Sequence, residues 1–172
     1  MRPQDILILL KIVSTDNEKW LNIDLARGLS ISQSEITESL ERSKIAGLID
    51  PDKHNVFRTA LLEFLVYGLK YVFPVLPGPV VRGIPTSHSA PPLLDYISQG
   101  SETYVWPDPE GDHRGQSITP LYKTVPQAVK EDRRLYELLA LTDAIRVGRA
   151  REVNFAVKEL SKRFKAVIHV RE

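Results

Sequence analysis

Cysteine is missing from all 172 residues, which excludes disulfides, thiolate catalysis and Cys-ligated zinc and makes a reducing compartment permissible. Histidine is scarce as well. The 4 that exist, His54, His88, His113 and His169, follow no HExxH or HxxxH spacing, so they form no recognisable metal set. There is no glycine-rich phosphate loop and no GxSxG. Asp108, Glu110, Asp112 and His113 make the densest polar cluster, but Pro, Gly and Asp turn chemistry accounts for it. Thr86-Ser87-His88-Ser89 is no catalytic pair, because neighbouring residues rarely reach each other productively. The chain is therefore expected to be no enzyme, with no cofactor and no metal.

Long apolar runs are also lacking. The richest window, residues 56–81, is interrupted by Arg58, Glu63 and Lys70 and broken by Pro74, Pro77 and Pro79. Each charge at mid-bilayer would cost about 3 kcal/mol, so a buried helix is expected here and no membrane span. The amino terminus lacks the basic region, apolar run and small-residue cleavage site of a secretory signal, and the expected address is the cytoplasm. Neither sign of charge dominates, with 23 basic and 22 acidic side chains. That balance argues against a protein that coats nucleic acid indiscriminately. The distribution is nonetheless uneven: residues 121–172 hold 12 basic and 7 acidic side chains.

What the chain does have is helical periodicity at both ends. With 42% hydrophobic and 26% charged residues it can bury a sizeable core as one domain, or as a small domain with an appended one. Pro3 and Asp5 ahead of Ile6, Leu7, Leu9, Leu10, Ile12 and Val13 predict a first helix ending near Ser14. Asn22 is expected to cap a second short helix containing Leu25, Ala26 and Leu29. Ser32-Gln33-Ser34-Glu35 is a capping box and starts a third. Ile36, Leu40 and either Ser43 or Lys44 mark that helix's inner face, which Ile45, Leu48 and Ile49 close. Ser34, Thr37, Glu38, Glu41 and Arg42 point elsewhere. Residues 50–55 have turn chemistry and predict a very short hairpin.

Residues 58–73 read as a long helix that is apolar on most sides, with Glu63, Tyr67 and Lys70 as a narrow polar stripe. A second subunit or the carboxy-terminal helices must cover it. Residues 74–126 contain ten of the 12 prolines and no sustained period; they read as a loop-rich connector with short strands or turns near Val80, Leu93 and Tyr104. Helices resume over residues 130–147 and 150–165. Leu135, Leu138, Leu139, Thr142 and Ile145 face inward on the first, and Val153, Val157, Leu160 and Phe164 on the second. Arg151, Lys158, Lys162 and Lys165 form a basic face opposite that second stripe, and residues 166–170 read as a strand or tail.

From Leu25-Ala26-Arg27-Gly28-Leu29-Ser30 through Ile36-Thr37 and on to Ala46-Gly47-Leu48-Ile49, the chain resembles the winged helix-turn-helix of bacterial transcriptional regulators, particularly the MarR-like group. The segments around Ala60 to Pro74, Trp106 to Gly111 and Tyr136 to Leu141 look like an uncharacterised bacterial family with such a front end. The resemblance implies a mainly α fold: a winged helix-turn-helix with a short wing over residues 1–60, then a long helix, a Pro/Gly-rich loop region and carboxy-terminal helices over residues 61–172 that dimerise or bind a partner. It implies sequence-specific binding of double-stranded DNA by a homodimer. Ser32, Gln33, Ser34 and Thr37 would approach the major groove, with Gln33 suited to adenine. Arg42, Lys53, His54 and Arg58 would position the duplex through its backbone. Glu35, Glu38 and Glu41 oppose phosphate, although a carboxylate accepts from a cytosine amino group. The alternative is a protein-interaction module such as an antitoxin that neutralises a protein partner.

Overall fold

Proline is tolerated in the first turn of a helix, where the missing N–H has no intrahelical acceptor, and Pro3 opens helix α1 (Pro3–Ser14) in the computed structural model, which describes residues 1–16, 18–97 and 102–166. The Asp5 carboxylate accepts the Arg2 backbone N–H at 2.7 Å and holds that first turn. Ile6 to Leu10, Ile12 and Val13 are all buried, so α1 runs through the middle of the molecule rather than along its surface.

Helix α2 (Asn22–Leu29) begins at Leu21, whose N–H the Asp24 carboxylate accepts at 2.8 Å. The expected cap, Asn22, instead donates its side chain to the Thr37 hydroxyl at 3.1 Å. Ser30 closes α2 in the left-handed region at φ 53°, a conformation that costs a non-glycine residue about 1 kcal/mol and makes the turn tight. Helix α3 (Gln33–Ile45) starts where its cap predicts: the Ser32 Oγ accepts the Glu35 backbone N–H at 3.3 Å and donates to its carboxylate at 3.1 Å. Ile36, Ser39, Leu40 and Ser43 are buried where α3 packs on α1 and α2. Ile45 is a correction: it is 80% exposed, because α3 ends there and the chain turns through Gly47 before Leu48 and Ile49 return to the core. The short hairpin is present as a single bridge, Ile49 to Val56. The Asp50 carboxylate closes its turn, accepting the His54 and Asn55 backbone N–H groups at 2.7 and 3.1 Å and the Asn55 side chain at 2.7 Å.

Helix α4 (Arg58–Glu63) passes through a π-helical turn, Phe64–Gly68, into α5 (Leu69–Val72). Leu61, Leu62, Leu65 and Leu69 are fully buried. Of the two covers expected, this chain's own carboxy-terminal helices provide one: α7 (Arg133–Val147) packs on α5 and α8 (Ala150–Phe164) on α4. A short helix, α6 (Val125–Ala128), rests against α2. The inner faces of α7 and α8 are as expected, with Leu135, Leu138, Leu139, Thr142, Ile145, Val157, Leu160 and Phe164 buried and Val153 half-buried. One apolar cluster joins α1 and α3 to α7 and α8. The strand or tail expected beyond Ala166 lies outside the described residues.

The Pro/Gly-rich region is not only loop, and the fold is mixed rather than purely helical. Strand β1 (Val80–Pro85) pairs antiparallel with both β2 (Tyr104–Pro107) and β3 (His113–Ser117), and β2 pairs parallel with β3, so three strands close on themselves. So tight a closure brings backbones into contact. A Cβ on Gly83 would lie 2.0 Å from the Trp106 carbonyl oxygen, and one on Gly115 would lie 2.4 Å from that of Thr103. Glycine at these positions is what lets the strands meet. Among the described residues no helix is long and apolar enough to cross a membrane.

Candidate nucleic-acid interface

The surface that α3 turns to solvent begins at its amino-terminal turn, where Ser32, Gln33, Ser34 and Thr37 are all exposed while Ile36 and Leu40 anchor the helix from behind. Thr37 is held in place: its hydroxyl donates to the Gln33 carbonyl at 2.9 Å and receives the Asn22 amide. The Ser34 hydroxyl lies 3.1 Å from that of Ser32. The Gln33 side chain makes no hydrogen bond among the described residues, so its amide is available to a ligand. The hairpin stands beside the helix, tied by Lys53, whose Nζ lies 2.7 Å from the Glu41 carboxylate. That ammonium holds Glu41 below the usual carboxylate range. His54 is exposed and tilts its ring against Trp20 at 5.7 Å. A groove of about 470 Å³ runs between them, floored by Ile12, Val13 and Val56 and rimmed by Lys19, His54 and Arg58.

Three of the residues expected to contact phosphate are engaged within the protein. Arg42 grips Asp5, with Nη2 2.7 Å from one carboxylate oxygen and Nε 3.1 and 3.2 Å from the two. Asp5 is wholly buried and Arg42 is 22% exposed. Burial alone would raise the Asp5 pKa, but hydrogen bonds from Arg42 and the Arg2 backbone hold it below the usual value. Arg42 therefore fastens α3 to α1. Lys53 fastens the hairpin to α3. Arg58 turns toward Asp16 at 3.7 Å, an aspartate that also receives Lys165 at 3.0 Å. What remains outward near α3 includes Lys44 and, from far along the chain, Lys123; neither forms an ion pair among the described residues. Lys123 follows Tyr122, whose hydroxyl donates to the Glu35 carboxylate at 3.5 Å across 87 residues of sequence. No local pattern signals that contact.

No protein-family model, no curated protein and no solved structure matches the chain.

Two other polar groupings serve the fold. Asp143 is sealed in the core, accepting from Trp106 Nε1 at 2.6 Å, Thr86 at 3.0 Å and Arg146 at 2.7 Å. Burial pushes its carboxyl up against the pull of those donors. With Trp106 1% and Thr86 0% exposed, no substrate reaches it; the cluster ties α7 to the sheet. Asp108, in the acidic turn between β2 and β3, pairs with Lys130 at 3.0 Å, and Glu110 joins at 3.1 Å. The basic face of α8 is exposed as expected, but Lys162 is bound to Glu159 at 2.6 Å and Lys165 to Asp16. Its positive charge is thereby halved.

Proposed function

We propose that residues 1–60 act as a winged helix-turn-helix and bind duplex DNA, in a protein that regulates transcription. The observation that carries this reading is the outward amino-terminal turn of α3, where Gln33, Ser34 and Thr37 stand exposed on a helix fixed from behind and flanked by a hairpin. A helix presented in this way enters the major groove with its first residues, and a glutamine amide reads the edge of adenine. Ser32, Gln33, Ser34 and Thr37 are the proposed base-facing residues, with His54 and Lys53 on the hairpin side. Selection of duplexes from a randomised pool, followed by titration with salt, tests the proposal. The expected result is a recovered consensus whose log affinity falls linearly with log salt, by about 0.9 for each phosphate contacted. Failure to bind any duplex at low salt overturns it.

A second reading has its own support. Ile45 is 80% and Leu21 67% exposed, and Glu38 and Glu41 lie on the outer face of α3. A mixed apolar and acidic surface suits a protein partner, as an antitoxin would require. Under this reading duplex binding is absent at every salt concentration.

A further inference from the structure

Resting on the duplex-binding reading, we propose that the segment carrying Tyr122 and Lys123 is a second flank of the same interface, with Lys123 contacting phosphate on the side of α3 away from the hairpin. At 3.6 residues per turn, Glu35 and Glu41 lie about 120° apart around the helix, and the exposed Ser34, Glu38 and Ile45 fall between them. Lys53 of the hairpin meets the helix at Glu41. Tyr122 meets it at Glu35. Tyr122 thus bounds the exposed arc of α3 at Glu35, and the arc runs from there past Glu41, where the hairpin meets it, to the exposed Thr37 and Gln33 about 40° and 80° further round.

A duplex seats a helix in a major groove about 12 Å wide, against a helix diameter of about 10–12 Å, so a phosphate strand runs along each edge of the helix. Cations are needed at both. On the hairpin side Lys53 is in place, although it already holds Glu41. On the other side Arg42 is committed to Asp5. Lys123 fills that role: it is exposed, it makes no ion pair among the described residues, and its Nζ sits 6.0 Å over the Tyr122 ring, which is itself tied to the first turn of α3. The segment is well founded, because Leu121 and Val125 on either side are buried and α6, which follows, packs on α2. The amino-terminal helices and the region beyond residue 120 therefore build one surface.

The test measures the affinity of the full chain for its selected duplex across a salt series. Lys123→Ala is expected to lower the slope of log affinity against log salt by about one, and Lys123→Arg to restore it. Lys70→Ala, on the distant α5, should leave the slope as in the parent. Thermal melting of Lys123→Ala should stay close to the parent, since Lys123 is exposed and its contact over the Tyr122 ring is a long surface one. An unchanged slope for Lys123→Ala overturns this proposal and leaves duplex binding standing. A parent chain that binds no duplex overturns both.

Discussion

Asp5 and Arg42 show how much a single pair decides. A carboxylate with no exposed surface needs a partner, and Arg42 supplies two parallel donors of the kind that guanidinium and carboxylate favour. Arg42→Ala strands that charge. It is expected to destabilise the fold by about 3 kcal/mol, the low end for a broken buried pair because Arg42 itself is partly exposed. Gln33→Ala, on the exposed turn, should stay within about 0.5 kcal/mol in the same denaturant titration. Under the duplex-binding proposal its effect belongs to binding, where it should relax preference at one base pair. If Arg42→Ala keeps full stability yet weakens binding to all duplexes equally, Arg42 contacts phosphate after all and the Asp5 pairing is not what holds α3.

At the scale of elements, α8 and the small sheet fail in different ways. Leu160 is fully buried, and Leu160→Ala should cost about 2–5 kcal/mol through lost transfer energy and the cavity left behind. Lys158→Ala and Lys162→Ala together should cost no more than about 0.5 kcal/mol each, because both residues are exposed and the Lys162 pair with Glu159 is a surface one. For the sheet, Gly83→Ala sets a methyl against the Trp106 carbonyl. It is expected to destabilise by about 1–3 kcal/mol or more, as overpacking does. Gly47→Ala meets open space and bears only the strain of its positive φ, so it should be the milder of the two. A larger loss at Gly47 in paired thermal melts would contradict the closed-sheet geometry.

For the whole molecule, acid stability follows from the carboxylates. Burial raises the pKa of each of Asp5, Asp50, Asp108 and Asp132, but in every case hydrogen bonds and neighbouring cations outweigh it and hold the native value below the unfolded 3.8. A depressed carboxyl stabilises the fold above its unfolded pKa, and that contribution is lost as pH falls through the native value. Asp143 is raised and works in the opposite sense: its share is present below 3.8 and declines as pH rises through its native value. With these depressed carboxyls, and Asp16, Glu41 and Glu159 in the same sense, set against Asp143, melting temperature should hold on acidification from about pH 7 and then drop below about pH 4. A melting temperature that rises there would refute these pairings. Association is the other whole-molecule property. The leucines of α4 and α5 are covered within the chain, yet Tyr71, Val72 and Leu76 remain 73, 52 and 86% exposed. Because most helix-turn-helix readers occupy two half-sites, the duplex-binding proposal leads us to propose that this strip joins two copies. Light scattering should then give a dimer that Leu76→Ser with Tyr71→Ser converts to a monomer, and a parent that is monomeric throughout a dilution series defeats the idea.

The sequence by itself determined the helices, because their signals act within a few residues: Pro3 in a first turn, Ser32 answering Glu35, and leucines recurring at three and four positions through α7. It also marked the exposed first turn of α3 as the candidate contact surface. Only the tertiary structure decided which cations are spent and which are available. Arg42 and Asp5 are 37 residues apart, Lys11 and Asp132 are 121 apart, and Tyr122 reaches Glu35 across 87. The closed sheet escaped for the same reason. Its pairings run between short, proline-bounded segments with little alternation of their own, and close approach of Gly83 and Gly115 to neighbouring backbones is a property of the assembled strands. Local propensity specifies elements, while long-range burial and charge pairing specify which surface is left to act.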